Sequence, residues 1–274
     1  MFFQLVCRVR RHDAGRDVSQ PGRGVTREGA VEDAAAMYRH AIDFDSTWAP
    51  AHNGLGSVLR QRGKLDEAIG HLEDALRLQH DFEDASFNLA NALSDRGRFS
   101  DAIARYRDVL QRRPDAVDIH SNLGIALAGA ERIDEAIAEL RTAVTLAPHA
   151  AKTHYNLGHS LLTRGDLNEA VAELARAVDI DPTDVSSHYE LGNAHAASRR
   201  WTEAIEQYRS ALRLAPTLVD AHNNLGIALG SLERWDEAIA EFQRALQLNP
   251  SFREAEANLR TAIATRQGSR SGRE

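Results

Sequence analysis

The sequence predicts an all-α solenoid of stacked helical hairpins, and three observations lead there. The first is an internal repeat of 34 residues, a signal that decides architecture before any local pattern does. Stepping back by that period from Gly226 gives Gly192, Gly158, Gly124, Ala90 and Gly56, each preceded by a leucine, from Leu225 back to Leu55. Farther into each unit stand Ala238, Ala204, Ala170, Ala136, Ala102 and Ala68, and near its end Pro250, Pro216, Pro182, Pro148 and Pro114, with His80 as the exception. The second observation is periodicity: Ala221, Leu225, Ala228 and Leu229, then Trp235, Ala238, Ile239, Phe242, Ala245 and Leu246, follow the helical period twice per unit. The third is punctuation between the two helices by polar start residues and proline stops.

Six complete units fill 49–252 without insertion, as 49–82, 83–116, 117–150, 151–184, 185–218 and 219–252. Before each second helix stand Asp66, Ser100, Asp134, Asn168, Thr202 and Asp236, read as N-caps worth about 1 kcal/mol each. An acidic residue follows every one, which suits the positive end of the helix dipole. The first helices are expected to start at Asp81, Asp115, His149, Thr183, Thr217 and Ser251, with Asp84, Asp118 and Glu254 completing approximate capping boxes. The glycine and alanine columns let the paired backbones approach, so a large side chain at Gly124 or Gly158 would overpack the contact by roughly 1–3 kcal/mol.

Outside the units, residues 1–27 form a basic segment expected to be poorly ordered, dense in Gly15, Pro21, Gly22 and Gly24. Residues 28–48 carry half a repeat, an orphan second helix whose open face could pack on Phe2, Val6 and Val9. Residues 253–266 read as a C-terminal capping helix, since Arg260 occupies the glycine column, and 267–274 as a polar tail.

Composition narrows the function. The formal charge is −7, but residues 1–27 are net +4 and 266–274 net +2, leaving −13 on the array. Such a surface does not suit phosphate backbones, so no nucleic-acid partner is expected. No stretch approaches the roughly 18 apolar residues of a membrane span. Met1–Arg11 lacks the order of a signal peptide, and Cys7 alone builds no disulfide framework. A cytoplasmic location is expected.

The columns Leu225-Gly226, Ala238, Phe242, Ala245 and Pro250 at this period resemble the tetratricopeptide repeat, over about three quarters of the chain. The variant HNNLGIAL…DEAIAEFQRALQLNP is most similar to repeats in the superhelical arm of O-linked N-acetylglucosamine transferases and in bacterial tetratricopeptide proteins. The resemblance implies a right-handed superhelix with first helices lining a concave groove that binds peptides or partner proteins. One column departs from the family: where an aromatic is usual, this chain has His52, His120, His154, His188 and His222, with Ser86 between.

Opposite the apolar stripe of the first helices lies a recurring polar column, Asn88, Asn122, Asn156, Glu190, Asn224 and Asn258. An Asn amide offers an acceptor and two donors, enough to hold a peptide backbone without reading its side chains. Two readings stay open here, a peptide-holding ladder and hydrogen bonds within the array. Beside the column lie Asn53, Phe87, Tyr155, Tyr189 and Asn223, and Asn91, His159 and Asn193, with Ile125 and Ile227 as apolar members. Lys64 and Lys152 are the only lysines, so no carboxylate clamp is expected. Metal ligands must converge. His154, His159, His188 and His195 show no such spacing, and the column histidines read as packing residues. No metal, cofactor or catalytic constellation is expected. The function these residues point to is a non-catalytic scaffold binding a protein or extended peptide. The alternative is the substrate-recruiting part of a glycosyltransferase-like system whose catalytic domain lies elsewhere.

Overall fold

The computed structural model describes residues 27–271, with side-chain environments for 31–268. The basic N-terminal segment, Cys7 and the proposed packing of Phe2, Val6 and Val9 lie outside the described residues. Every regular element described is an α-helix: α1 (Arg27–Phe44), α2 (Ala49–Gln61), α3 (Leu65–Leu78), α4 (Glu83–Asp95), α5 (Phe99–Leu110), α6 (Val117–Gly129), α7 (Ile133–Leu146), α8 (Ala151–Arg164), α9 (Leu167–Ile180), α10 (Val185–Ala197), α11 (Trp201–Leu214), α12 (Val219–Ser231), α13 (Trp235–Leu248) and α14 (Arg253–Ser271). The chain is an all-α solenoid of helical hairpins. It divides into two compact units, with the boundary between Glu139 and Leu140, inside α7. In the first unit α1 packs on α2, α2 pairs with α3, α3 meets α4, and the series continues through α5 and α6. In the second unit the pairs are α8 with α9, α10 with α11 and α12 with α13, each pair meeting the next, and α14 closes on α13.

The small column works as the periodicity suggests. A Cβ added to Gly158 would lie 2.6 Å from Leu174 Cγ, and one added to Gly226 would lie 2.6 Å from Phe242 Cε1. The glycine therefore leaves room chiefly for the large side chain of the partner helix. At Gly56 the partner backbone is close as well, with Ala68 O at 3.1 Å. Ala68, Ala102, Ala136, Ala170, Ala204 and Ala238 are all fully buried.

The turns differ from expectation. Each first helix ends in a residue of positive φ, and these again recur every 34 residues: Gly63, Gly97, Glu131, Gly165, Arg199 and Glu233. The following amide reaches back across the turn, as in Lys64 N–H to Leu59 O (3.0 Å), Arg98 N–H to Leu93 O (2.8 Å) and Arg234 N–H to Leu229 O (3.0 Å). This is a Schellman closure, with the left-handed residue at its corner. It sets the second helices off two residues earlier than those caps would, at Leu65, Phe99, Ile133, Leu167, Trp201 and Trp235. Asp66, Ser100, Asp134, Asn168, Thr202 and Asp236 therefore sit inside the first turn and are not N-caps. Their acidic neighbours have a further role, since Glu135, Glu169 and Glu237 accept from Arg107 (2.9 Å), Arg141 (2.9 Å) and Arg209 (3.2 Å) on the preceding second helix.

The first helices also start one residue late. Phe82, Ala116, Ala150, Asp184 and Leu218 occupy the N-cap, and only Asp184 caps with its side chain, accepting from Ser187 N–H at 2.8 Å. Phe82 and Ala116 have no side-chain acceptor, so no capping box forms there. Thr183 and Ser251 instead close small turns, their amides donating to Asp181 Oδ1 (3.0 Å) and Asn249 Oδ1 (3.1 Å). Finally, α14 runs through Ser271, so the predicted tail 267–274 is helical over 267–271. No helix among the described residues is long and apolar enough to cross a membrane.

Candidate functional site

The first helices carry two side-chain systems, one facing the partner helix and one facing the neighbouring repeat. The histidine column forms the first. His120 Nδ1 meets Glu139 Oε2 at 2.7 Å and its Nε2 donates to Pro114 O at 2.8 Å. His154 repeats this with Glu173 Oε2 (2.6 Å) and Pro148 O (3.0 Å), and His222 with Glu241 Oε2 (2.6 Å) and Pro216 O (3.2 Å). His188 has Gln207 Oε1 (2.8 Å) and Pro182 O (3.1 Å). An imidazole in this column ties the second helix to the chain entering the hairpin and satisfies both ring nitrogens, which buried polar groups require. His120, His154, His188 and His222 thus serve the packing of their own hairpins. His52 is the variant: its Nδ1 lies 3.2 Å from His71 Nδ1, and its Nε2 lies 3.3 Å from Ser46 O.

The asparagine column forms the second system, and the amides of Asn88, Asn122, Asn224 and Asn258 bond to the preceding first helix. In the first unit Asn88 Nδ2 donates to Asn53 Oδ1 (2.9 Å), and Asn122 Nδ2 donates to Asn91 Oδ1 (2.9 Å). Asn91 also accepts from Tyr106 OH (2.6 Å). The second unit repeats the pattern. Asn224 Nδ2 donates to Asn193 Oδ1 and to Tyr189 OH, both at 3.1 Å, while Tyr208 OH donates to Asn193 Oδ1 (2.9 Å). Asn258 Nδ2 donates to Asn223 Oδ1 (3.0 Å). Sequence reasoning alone does not single out Tyr106 and Tyr208. Both are buried, and burial pushes their phenols well above the ordinary range. A buried phenol needs a partner, which accounts for asparagine at 91 and 193, where sister repeats carry Ile125, His159 and Ile227.

Burial also corrects the expected open face. Asn91, Asn156 and Asn223 are buried, because the following repeat covers Asn223 and the tyrosine fills the space behind Asn91. Asn53, Phe87, Asn88, Asn122, Tyr155, Tyr189, Glu190, Asn193, Asn224 and Asn258 are half-buried, and His159 is exposed. Ile125 and Ile227 are each 41% exposed.

Glu190, the one acid in the asparagine column, faces His159 Nδ1 at 3.5 Å and accepts from Asn193 Nδ2 at 3.3 Å. Burial raises the Glu190 pKa, but His159 and Asn193 outweigh it and the net shift is downward. The hydrogen bond to Glu190 raises the His159 pKa against desolvation. Tyr155 stacks on His159, with centroids 6.2 Å apart and planes 15° from parallel. Among the described residues His154, His159, His188 and His195 do not converge as metal ligands; the one group of three that does is His52, His71 and Asp74.

Hairpins of this length, with small residues at the crossing and a polar column running from repeat to repeat, define a class of helical-repeat proteins. Tetratricopeptide repeat models match residues 49–115, 87–151, 155–219 and 189–251. The chain belongs to the tetratricopeptide repeat family. A search of curated proteins finds no match to the sequence. Among solved structures the chain is similar to one in the APC/C hetero-tetramer Cut9–Hcn1 (TM-score 0.72, 17% identity, 86% of this chain and 46% of that one). It is also similar to PilF of Pseudomonas aeruginosa (TM-score 0.65, 20% identity, 83% and 97%) and to MamA (TM-score 0.57, 24% identity, 61% and 92%). The chain thus spans less than half of the Cut9–Hcn1 chain it matches. At these identities the likenesses speak to the fold alone.

Proposed function

We propose that the protein is a non-catalytic interaction scaffold, and that the first helices of each unit hold an extended peptide or a partner protein. Family membership supports the scaffold role. The observation that carries the location is the side-chain arrangement along the first helices. In the first unit the first helices carry exposed Ile125, half-buried Phe87 and the Asn88 and Asn122 amides; in the second they carry exposed Ile227, half-buried Tyr155 and Tyr189 and the Asn224 and Asn258 amides. Apolar residues that the fold leaves uncovered, interleaved with hydrogen-bonding groups, suit contact with a polypeptide. Asn88, Asn122 and Asn258 each turn one amide N–H toward the neighbouring repeat. The second N–H and the carbonyl oxygen are then the groups available to a guest backbone. Asn53, Asn91, Asn193 and Asn223 support the column by accepting from it, and Glu190 with His159 adds a polar contact in the second unit.

The test is a peptide array probed with the purified chain, followed by affinity measurement on the best binders. Ile125→Asp with Ile227→Asp is expected to weaken binding at least about tenfold while the circular dichroism and thermal midpoint stay unchanged. Asn122→Ala with Asn156→Ala is expected to weaken it as well. Affinity unaltered in both double variants would remove these helices from the binding surface.

A further inference from the structure

We propose that His52, His71 and Asp74 form a binding site for one divalent transition-metal ion of the zinc class, held between α2 and α3. The three side chains offer Nδ1, Nδ1 and a carboxylate oxygen, all within 4.8 Å of one another. The two imidazole nitrogens face each other at 3.2 Å, and Asp74 Oδ2 lies 3.8 Å from His52 Nδ1. In a tetrahedral zinc site with bonds of about 2.0–2.1 Å, neighbouring ligand atoms stand about 3.3–3.4 Å apart. The histidine pair is close to that separation, and rotation of the Asp74 side chain would bring its carboxylate, within 4.8 Å of both nitrogens, nearer.

The other ring nitrogen of His52 points at Ser46 O, 3.3 Å away. A proton on that nitrogen leaves Nδ1 with its lone pair, which is how metal-binding histidines are commonly oriented. Asp74 gives only Oδ1 to Arg77, at 2.7 Å, and keeps Oδ2 on the histidine side. Arg77 and Arg39 are the cations nearby; their repulsion weakens the site without blocking a ligand atom. His52 is buried, while His71 and Asp74 are half-buried, so the ion would keep at least one coordination position open to solvent.

The sister repeats act as internal controls. Where this hairpin has His71, they place Glu139, Glu173, Gln207 and Glu241 against the column histidine. Where it has Asp74, they have Thr142, Arg176, Ser210 and Arg244. The repeat at 83–116 has Asp108 but Ser86 and Arg105 in place of the imidazole and its partner. Only the hairpin of α2 and α3 combines all three donors.

The experiment is calorimetric titration of the untagged full chain, stripped with chelator, with Zn2+. One equivalent is expected to bind and to raise the thermal midpoint. His71→Gln recreates the His188–Gln207 pair of a sister repeat and so preserves the hairpin. It is expected to weaken Zn2+ binding at least about tenfold, as is Asp74→Asn, and to abolish the thermal shift. His154→Gln is expected to leave binding intact. The proposal is overturned if the chain takes up less than one equivalent, if His71→Gln binds as well as the unaltered chain, or if His154→Gln weakens binding equally.

Discussion

At the scale of single residues, the corner of the hairpin is where side chains and backbone disagree. Three of the six corners are glycine and three are not: Glu131, Arg199 and Glu233 hold φ near +60° (60, 56 and 58°). A side chain in that region costs about 1–2 kcal/mol, whereas glycine adopts it freely but loses more entropy on folding. Arg199→Gly is therefore expected to raise stability by about 0.5–1 kcal/mol, read from urea unfolding. The His159–Glu190 pair gives a pH prediction. The contribution of His159 is complete below its unfolded value of about 6.5 and fades as pH rises through its raised folded value. Glu190 contributes above its unfolded value of about 4.3 and loses that contribution as pH falls through its lowered folded value. The pair is thus charged between those two limits. Glu190→Gln is expected to bring the His159 titration, followed by NMR, down toward the ordinary histidine range. An unchanged midpoint would mean that Glu190 does not govern it.

At the scale of elements, four of the six repeats close the seam between paired helices with a triad of histidine, Glu or Gln, and carbonyl; His52 pairs instead with His71, and the repeat at 83–116 has Ser86 in place of the histidine. Around Ser86, Arg105 and His80 an open space of about 620 Å3 lies between α3, α4 and α5, bordered by Leu89, Asp108 and Val109. Ser86→His with Arg105→Glu would restore the pairing seen at His154 and Glu173, and the double variant is expected to unfold at a higher temperature than the parent. A lower midpoint would show that the space is required by the repeat. The helices themselves are legible in the sequence, because leucine, glycine and alanine fall on fixed columns and each has a packing reason. Helix ends are legible only to within one or two residues. Residue preference points to polar caps such as Asp66 and Ser251, whereas backbone closure at Gly63 and its sisters sets the second helices, and Phe82 or Leu218 begins the first.

At the scale of the whole molecule, a repeat that cannot cover its own apolar face depends on the next helix in the chain to cover it. The α12–α13 core of Leu225, Leu229, Ile239 and Phe242 includes Ala262 of α14 and packs against Leu259 and Ile263. Truncation after Phe252 is expected to lower the thermal midpoint and to speed amide exchange in α12 and α13 first. Uniform exchange across the chain would refute that dependence. The repeating architecture is plain from the 34-residue period. The candidate surface is only partly so. The sequence places Asn88, Asn122 and Asn224 in one column but does not show that Tyr106 and Tyr208 stand behind it, since a tyrosine in a leucine column looks like any large apolar residue. It likewise hides His71 and Asp74, which become neighbours of His52 only when the hairpin closes. The bonds between asparagines of adjacent repeats have one more effect. Asn88, Asn122 and Asn224 each donate to an asparagine of the preceding first helix, a bond that restricts their side chains. On the binding surface proposed above, a polypeptide held within either unit would freeze its own torsions more than theirs, so its affinity would rest on a surface ordered largely during folding.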